Sequence, residues 1–223
     1  MAVFQPNLTT RLLLAECQRL PLTDSQSLLE VGCGSAFIAK SLVENGHLRP
    51  DQVWLSDISS EAIEQAIIAL RDYVHIGHFR IGSCLGPWAD SQFDVIVSDV
   101  AGIADEIASV SSWYQGVPYA AGPDGLDNTL SVLYGANSVL KTRGVLIFPI
   151  ISLSNVERLY KEISDTFEDV RITEPIYWPM PQDLVSKAEL IDRLCDTGMI
   201  RVFKKFGKLL ASTQVAVCTK GKT

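Results

Sequence analysis

A doubly wound α/β fold around a seven-stranded, mostly parallel sheet is predicted by three features of the chain. Apolar runs of strand length alternate with segments whose apolar residues recur at helical spacing, the pattern of a sheet covered on both faces. The first such run, Leu28-Leu29-Glu30-Val31, breaks into Gly32-Cys33-Gly34-Ser35-Ala36, with two glycines one residue apart where a strand turns into a helix. The second and fourth runs each lead into an aspartate, Asp57 and Asp99. Acidic groups therefore collect at the carboxyl ends of strands, where open sheets hold ligands.

The elements follow in order. Thr9 as an N-cap opens a helix over 10–20 that stops before Pro21. Strand one covers 27–31, and the helix after the glycines carries Phe37, Ile38 and Leu42 to an end near Gly46. Strand two covers 52–56, and a helix over 61–73 sets Ile63, Ile67 and Leu70 on one face. Strand three is 78–81 and strand four 93–98. A long loop, with room for a short helix, leads to Gly122-Pro123-Asp124-Gly125, after which Leu126, Leu130 and Leu133 stripe a helix over 126–141. Strand five is 144–150.

Ser154 and Glu157 have capping-box spacing for a helix ending near Ser164, and Ser186 with Glu189 repeats it for a helix stopping at Gly198. Strand six covers 170–177, and two closing strands cover 200–206 and 214–218. A single domain thus spans 1–223, with 1–22 as an N-terminal helical segment and 178–206 as a helical, cap-like insertion before the last strand. Trp178, Met180 and the helix 187–197 are expected to form a lid over an acceptor pocket. A dimer interface through Leu190, Ile191 and Leu194 is the competing use.

With 47% hydrophobic residues the 223-residue chain can bury a sizeable core, and no apolar run reaches the length of a membrane span. The first residues lack the basic-then-apolar pattern of a secretory signal. Five scattered cysteines with no Cys-x-x-Cys read as reduced thiols, which together points to the cytoplasm. A net charge of −7 disfavours nucleic acid as a partner. The one basic run, Arg201 to Lys208, reads as a strand with its apolar side buried and its basic side in water. His47, His75 and His78 form no metal-ligand pattern.

Glu30-Val31-Gly32-Cys33-Gly34-Ser35-Ala36 resembles the first motif of class I S-adenosylmethionine (SAM)-dependent methyltransferases. Ser56-Asp57-Ile58-Ser59-Ser60-Glu61-Ala62 resembles their ribose-binding turn. Within that class the layout is similar to the protein-glutamine methyltransferases of translation release factors and their small-domain relatives. Phe93 to Asp99 matches the fourth strand of that group, and Gly122-Pro123-Asp124-Gly125-Leu126-Asp127 matches its Gly-x-Asp-Gly-Leu segment. Phe4-Gln5-Pro6-Asn7-Leu8-Thr9-Thr10 resembles the entry to the catalytic domain. The resemblance covers about residues 4–150 and implies SAM as the cofactor. It departs after strand four, where Asp99-Val100-Ala101-Gly102 replaces an Asn or Asp, two prolines and an aromatic. That departure points away from planar amide or exocyclic amine acceptors, and from release factors.

For SAM, Glu30 and the turn formed by Gly32, Cys33, Gly34 and Ala36 are expected to meet the amino-acid end and the sulfonium. Asp57 takes the ribose hydroxyls, Ile58 packs on the adenine, and Ser83 and Cys84 meet the adenine edge. Cys33 and Cys84 within that site read as small polarizable filler rather than as reactive thiols. Asp99, at the spot where the methyl group is presented, is counted with the cofactor-binding residues and is also the candidate catalytic residue, orienting the acceptor or taking its proton. Asp105 and Glu106 follow it but read more simply as solvated loop charges. Trp113, Tyr114 and Tyr119 either line an aromatic acceptor pocket or cover the sheet. The acceptor is expected to be a small molecule or a protein side chain. A SAM-binding regulatory subunit without catalysis competes with this reading, motivated by the missing motif. An NAD-dependent enzyme competes less well, because Phe37 stands where Gly-x-Gly-x-x-Gly needs its last glycine.

Overall fold

The computed structural model describes residues 3–23 and 25–221. The helices are α1 (Leu8–Arg19), α2 (Phe37–Glu44), α3 (Ser60–Leu70), α4 (Asp105–Val110), α5 (Asp127–Val139), α6 (Val156–Thr166), α7 (Gln182–Val185) and α8 (Ala188–Asp196). The strands are β1 (Leu28–Val31), β2 (Val53–Asp57), β3 (Phe79–Ile81), β4 (Phe93–Ser98), β5 (Leu140–Ile151), β6 (Asp169–Ile172), β7 (Ile176–Pro179), β8 (Phe203–Lys205) and β9 (Lys208–Thr219).

The sheet order β3-β2-β1-β4-β5-β9-β6 contains the expected seven strands, parallel from β3 to β5, with β9 antiparallel between β5 and β6. Among the described residues two short additions raise the count to nine, because β7 and β8 also pair with β9. The expected strand six is split. Thr173-Glu174-Pro175 interrupts it, since Pro175 has no amide to donate to β9, and pairing resumes at Ile176 opposite Thr213. The last strand is longer than expected, twelve residues, and it carries every antiparallel partner. Strand β5 likewise starts early, at Leu140 opposite Phe93, with a break in register before Val145.

Several helix starts differ from expectation. The cap of α1 is Asn7 rather than Thr9; its side chain accepts from the Thr10 amide, and Thr10 returns a bond to the Asn7 amide. Asn155 rather than Ser154 caps α6, because Ser154 turns its hydroxyl back to Ile151 O. Ser186 does not cap α8 either; its hydroxyl closes the short α7 by bonding to Asp183 O. At α1 and α6 a neighbouring asparagine oxygen takes the cap in place of the expected hydroxyl, and at α8 no side chain caps the first turn.

Alternation along the strands feeds two cores. Leu28, Val95, Val97 and Ile147 face α1, α2 and α3, meeting Leu13, Ile38, Leu42, Ile63 and Leu70. Leu29, Val31, Ile96 and Phe148 face α5 and α6, meeting Leu126, Leu130, Leu133, Leu159 and Ile163. A third cluster joins α4 to the insertion: Ile103 and Ile107 pack with Leu153, Met180, Leu184, Ile191, Leu194 and Ile200. Ile191 and Leu194 are therefore buried within the chain and are not free to form a dimer face.

Candidate cofactor and acceptor site

A cavity opens at the carboxyl ends of β1 to β5, roofed by the N-terminal segment and the loop after β4. Glu30, Gly32, Cys33, Gly34, Asp57, Ile58, Ser83, Cys84 and Asp99 all line it. Ala36 does not. It is fully buried at φ 60 as the N-cap of α2, so its small size serves the strand-to-helix turn rather than a ligand.

The glycine turn is tight for a reason internal to the fold. At φ 71, a Cβ on Gly32 would sit 3.0 Å from the Asp99 carbonyl oxygen, and one on Gly34 would sit 3.3 Å from Phe4 O. The missing side chains let β4 and the N-terminal segment close on the turn. Gly32 and Cys33 both donate to Ser56 O, and Gly34 donates to Asp57 Oδ2 at 2.9 Å. Asp57 Oδ1 accepts from the Ser59 amide at the start of α3. The Asp57 carboxylate therefore bridges the turns after β1 and β2.

Glu30 lies deeper than expected. It is buried, and its Oε2 accepts from the Ala39 amide in the first turn of α2 at 2.8 Å. Burial raises its carboxyl to about 8, against the opposing Ala39 bond and with Asp99 and Asp57 adding to the rise. Asp99 accepts a 2.7 Å hydrogen bond from Thr10 Oγ1, and burial raises its carboxyl to about 6 in spite of that bond. Three carboxyl groups thus converge on one turn, and among the described residues no Lys, Arg or His lines the cavity.

On the acceptor side, Tyr114 and Tyr119 line the cavity and their rings meet edge to face at 6.1 Å. Phe4 lies 5.5 Å from Tyr114. Trp113 turns the other way, onto Trp178 in the third cluster. Asp105 accepts from the Ala121 amide and Glu106 pairs with Arg193, and neither lines the cavity. No residue of 178–206 lines it either. In place of a lid the insertion acts as a buttress: Asp183 accepts from the Ser112 amide at 2.8 Å, and Trp178 braces Trp113, beside the Tyr114 that reaches the cavity. Asn128 holds the same loop, donating to Ala101 O and Ala120 O.

Thr10, Phe4 and Asn128 were not picked as site residues from the sequence. The Phe4–Thr10 stretch carried a signal through its family likeness, whereas Asn128 carried none.

A methyltransferase domain family model matches residues 22–191 of this chain. The chain belongs to the methyltransferase domain family. This methyltransferase is of the class I, SAM-dependent type. No curated protein matches it in sequence. Among solved structures it is similar to a ribosomal protein L11 methylase from Lactobacillus delbrueckii subsp. bulgaricus (18% identity, TM-score 0.58, covering 98% of this chain and 81% of that one). It is also similar to a precorrin 8w decarboxylase from Methanobacterium thermoautotrophicum (18%, 0.54, 98% and 93%). A third is the N-methyltransferase NodS from Bradyrhizobium japonicum WM9 in complex with S-adenosyl-L-homocysteine (15%, 0.52, 97% and 90%). At these identities the likenesses show the fold of the methyltransferase.

Proposed function

We propose that this methyltransferase transfers the methyl group of SAM to a small molecule or a protein side chain, with Asp99 orienting the acceptor or taking its proton. The observation that carries the site is the convergence of Glu30, Asp57 and Asp99 on the glycine turn with no cationic side chain among the described residues that line the cavity. Such a cavity favours a ligand bearing positive charge, and SAM carries both an ammonium and a sulfonium.

SAM supplies an electrophilic methyl group with a good leaving group already attached. The chain's own residues then have positioning work. Asp57 stands at the end of β2 for the ribose hydroxyls. Ile58, 58% exposed, offers an apolar wall for the adenine, with Ser83 and Cys84 at its edge. Gly32, Cys33 and Gly34 present backbone to the amino-acid end, with Glu30 beneath them. Tyr114, Tyr119 and Phe4 exclude water from the acceptor side. Asp99 faces the cavity there and accepts a proton from a hydroxyl acceptor, or a hydrogen bond from an amine.

Cytoplasmic residence is part of the same reading, supported by five free thiols. Among the described residues no helix is long and apolar enough to cross a membrane. Calorimetric titration with SAM and with its demethylated product, using Asp57→Ala as the control, tests the proposal. Micromolar binding weakened by the substitution is expected, and binding of neither ligand would overturn it.

A further inference from the structure

We infer that the β8–β9 hairpin is a docking arm for an acidic segment of a protein substrate; the inference rests on the proposed transfer to a protein side chain. Its tip is the sequence Lys204-Lys205-Phe206-Gly207-Lys208. The basic run expected to form one strand is in fact this hairpin.

The tip is built against its own stability. Register sets Lys205 directly opposite Lys208, a repulsive cross-strand pair. Among the described residues none of Lys204, Lys205 and Lys208 makes an ion pair. Both turn residues are left-handed, Phe206 at φ 51 and Gly207 at φ 70. Asn-Gly suits such a turn, and a phenylalanine there is strained. Yet Phe206 is 92% exposed, with the Lys205 ammonium 5.5 Å from its ring centre. An unpaired cationic cluster costs the hairpin stability and offers complementary charge to an acidic partner, in a chain whose overall charge is −7.

Position and charge select the partner. Thr213 lies five residues along β9 from Lys208, a rise of roughly 17 Å. Its Oγ1 is 3.5 Å from Oγ1 of Thr9, which lines the cavity. Because β9 is buried from Ala211 to Thr213, a segment crosses over the surface instead, and it needs at least about five extended residues. A nucleic acid laid along the same path would carry phosphates onto the Glu30, Asp57 and Asp99 carboxyls. A protein segment can be acidic at the arm and neutral or basic at the cavity. The substrate is therefore a protein with an acidic cluster at least about five residues from the methylated side chain.

Fluorescence anisotropy on the whole protein at low salt tests this, with a labelled hexaglutamate peptide and a labelled oligothymidylate as probes. The peptide is expected to bind, and to bind about tenfold more weakly to a K204E/K205E/K208E variant. Phe206→Asn, which suits the turn and removes the ring, is expected to weaken it about threefold. SAM affinity should be unchanged in both variants, since the hairpin lines no part of the cavity. Equal peptide affinity for the wild type and the triple variant overturns the arm, and tighter binding of oligothymidylate than of peptide reassigns it to nucleic acid. Absence of SAM binding by the wild type instead overturns the proposed site, and leaves the peptide result readable by itself.

Discussion

Thr10 Oγ1 donates a 2.7 Å hydrogen bond to Asp99 Oδ2, joining the first helix to the end of β4. The bond favours the charged carboxylate, while burial favours the neutral acid and leaves the group at about 6. A base at that value is half ionised one unit below neutrality. Turnover that uses the carboxylate is expected to rise with pH through about 6 and then level off. Thr10→Val removes the stabilising donor and should move that rise to higher pH, leaving SAM affinity nearly unchanged. Asp99→Asn should lower kcat by about 10²–10⁴-fold. A pH–rate profile of the three proteins distinguishes these outcomes.

Asp57 accepts from the Gly34 and Ser59 amides, so its loss both removes the proposed ribose partner and loosens the turn. Charge-assisted bonds of this kind contribute on the order of 1.5–3 kcal/mol. Asp57→Ala is expected to weaken SAM about tenfold to a hundredfold by calorimetry. Asp57→Asn, which retains one acceptor, should fall between it and the wild type.

Glu30 ties stability to pH. Its folded value of about 8 stands above the ordinary 4.5, so the fold favours the neutral acid. Its contribution is full below about 4.5 and is lost as pH rises toward 8. Glu30→Gln keeps an acceptor for the Ala39 amide and cannot ionise. The wild-type Tm should therefore fall relative to the variant across that window, and parallel Tm curves would show that Glu30 ionises freely.

A cationic ligand beside Glu30 and Asp99 stabilises their charged forms. SAM binding near pH 7 is expected to release protons, mostly from Glu30, whose acid form dominates there. Calorimetry in two buffers of different ionisation enthalpy measures that release. The release should shrink in Glu30→Gln, and no release in the wild type would place the positive charge elsewhere.

Gly125 sits at φ 75, and a Cβ there would lie 2.5 Å from the Ile103 carbonyl carbon. Gly125→Ala meets both left-handed strain, about 1–2 kcal/mol, and a backbone clash in the loop that roofs the cavity. Gly46, at φ 70 with nothing within 4 Å of its added Cβ, isolates the strain alone. Thermal unfolding should show Gly125→Ala as clearly the more destabilised of the two.

Much of this molecule was legible along the chain. Periodicity depends on neighbouring residues sharing a face, so Phe93–Ser98 was located to the residue and Leu28–Val31 to within one. The glycine turn and the acids ending β2 and β4 were legible because backbone shape and strand polarity demand those residue types in fixed places. Tertiary contact decided what spacing cannot encode. Which oxygen caps a helix depends on where the preceding chain comes from, as at Asn7 and Asn155. Whether α8 covers the cavity or braces the loop beneath it depends on which apolar face it meets, and Ile191 and Leu194 meet α4 and its neighbours. Glu30 and Asp99 could be chosen as acids from sequence, but their raised values come from burial, with repulsion from Asp99 and Asp57 adding at Glu30. Those exist only once β1, β4 and α1 have closed around one turn.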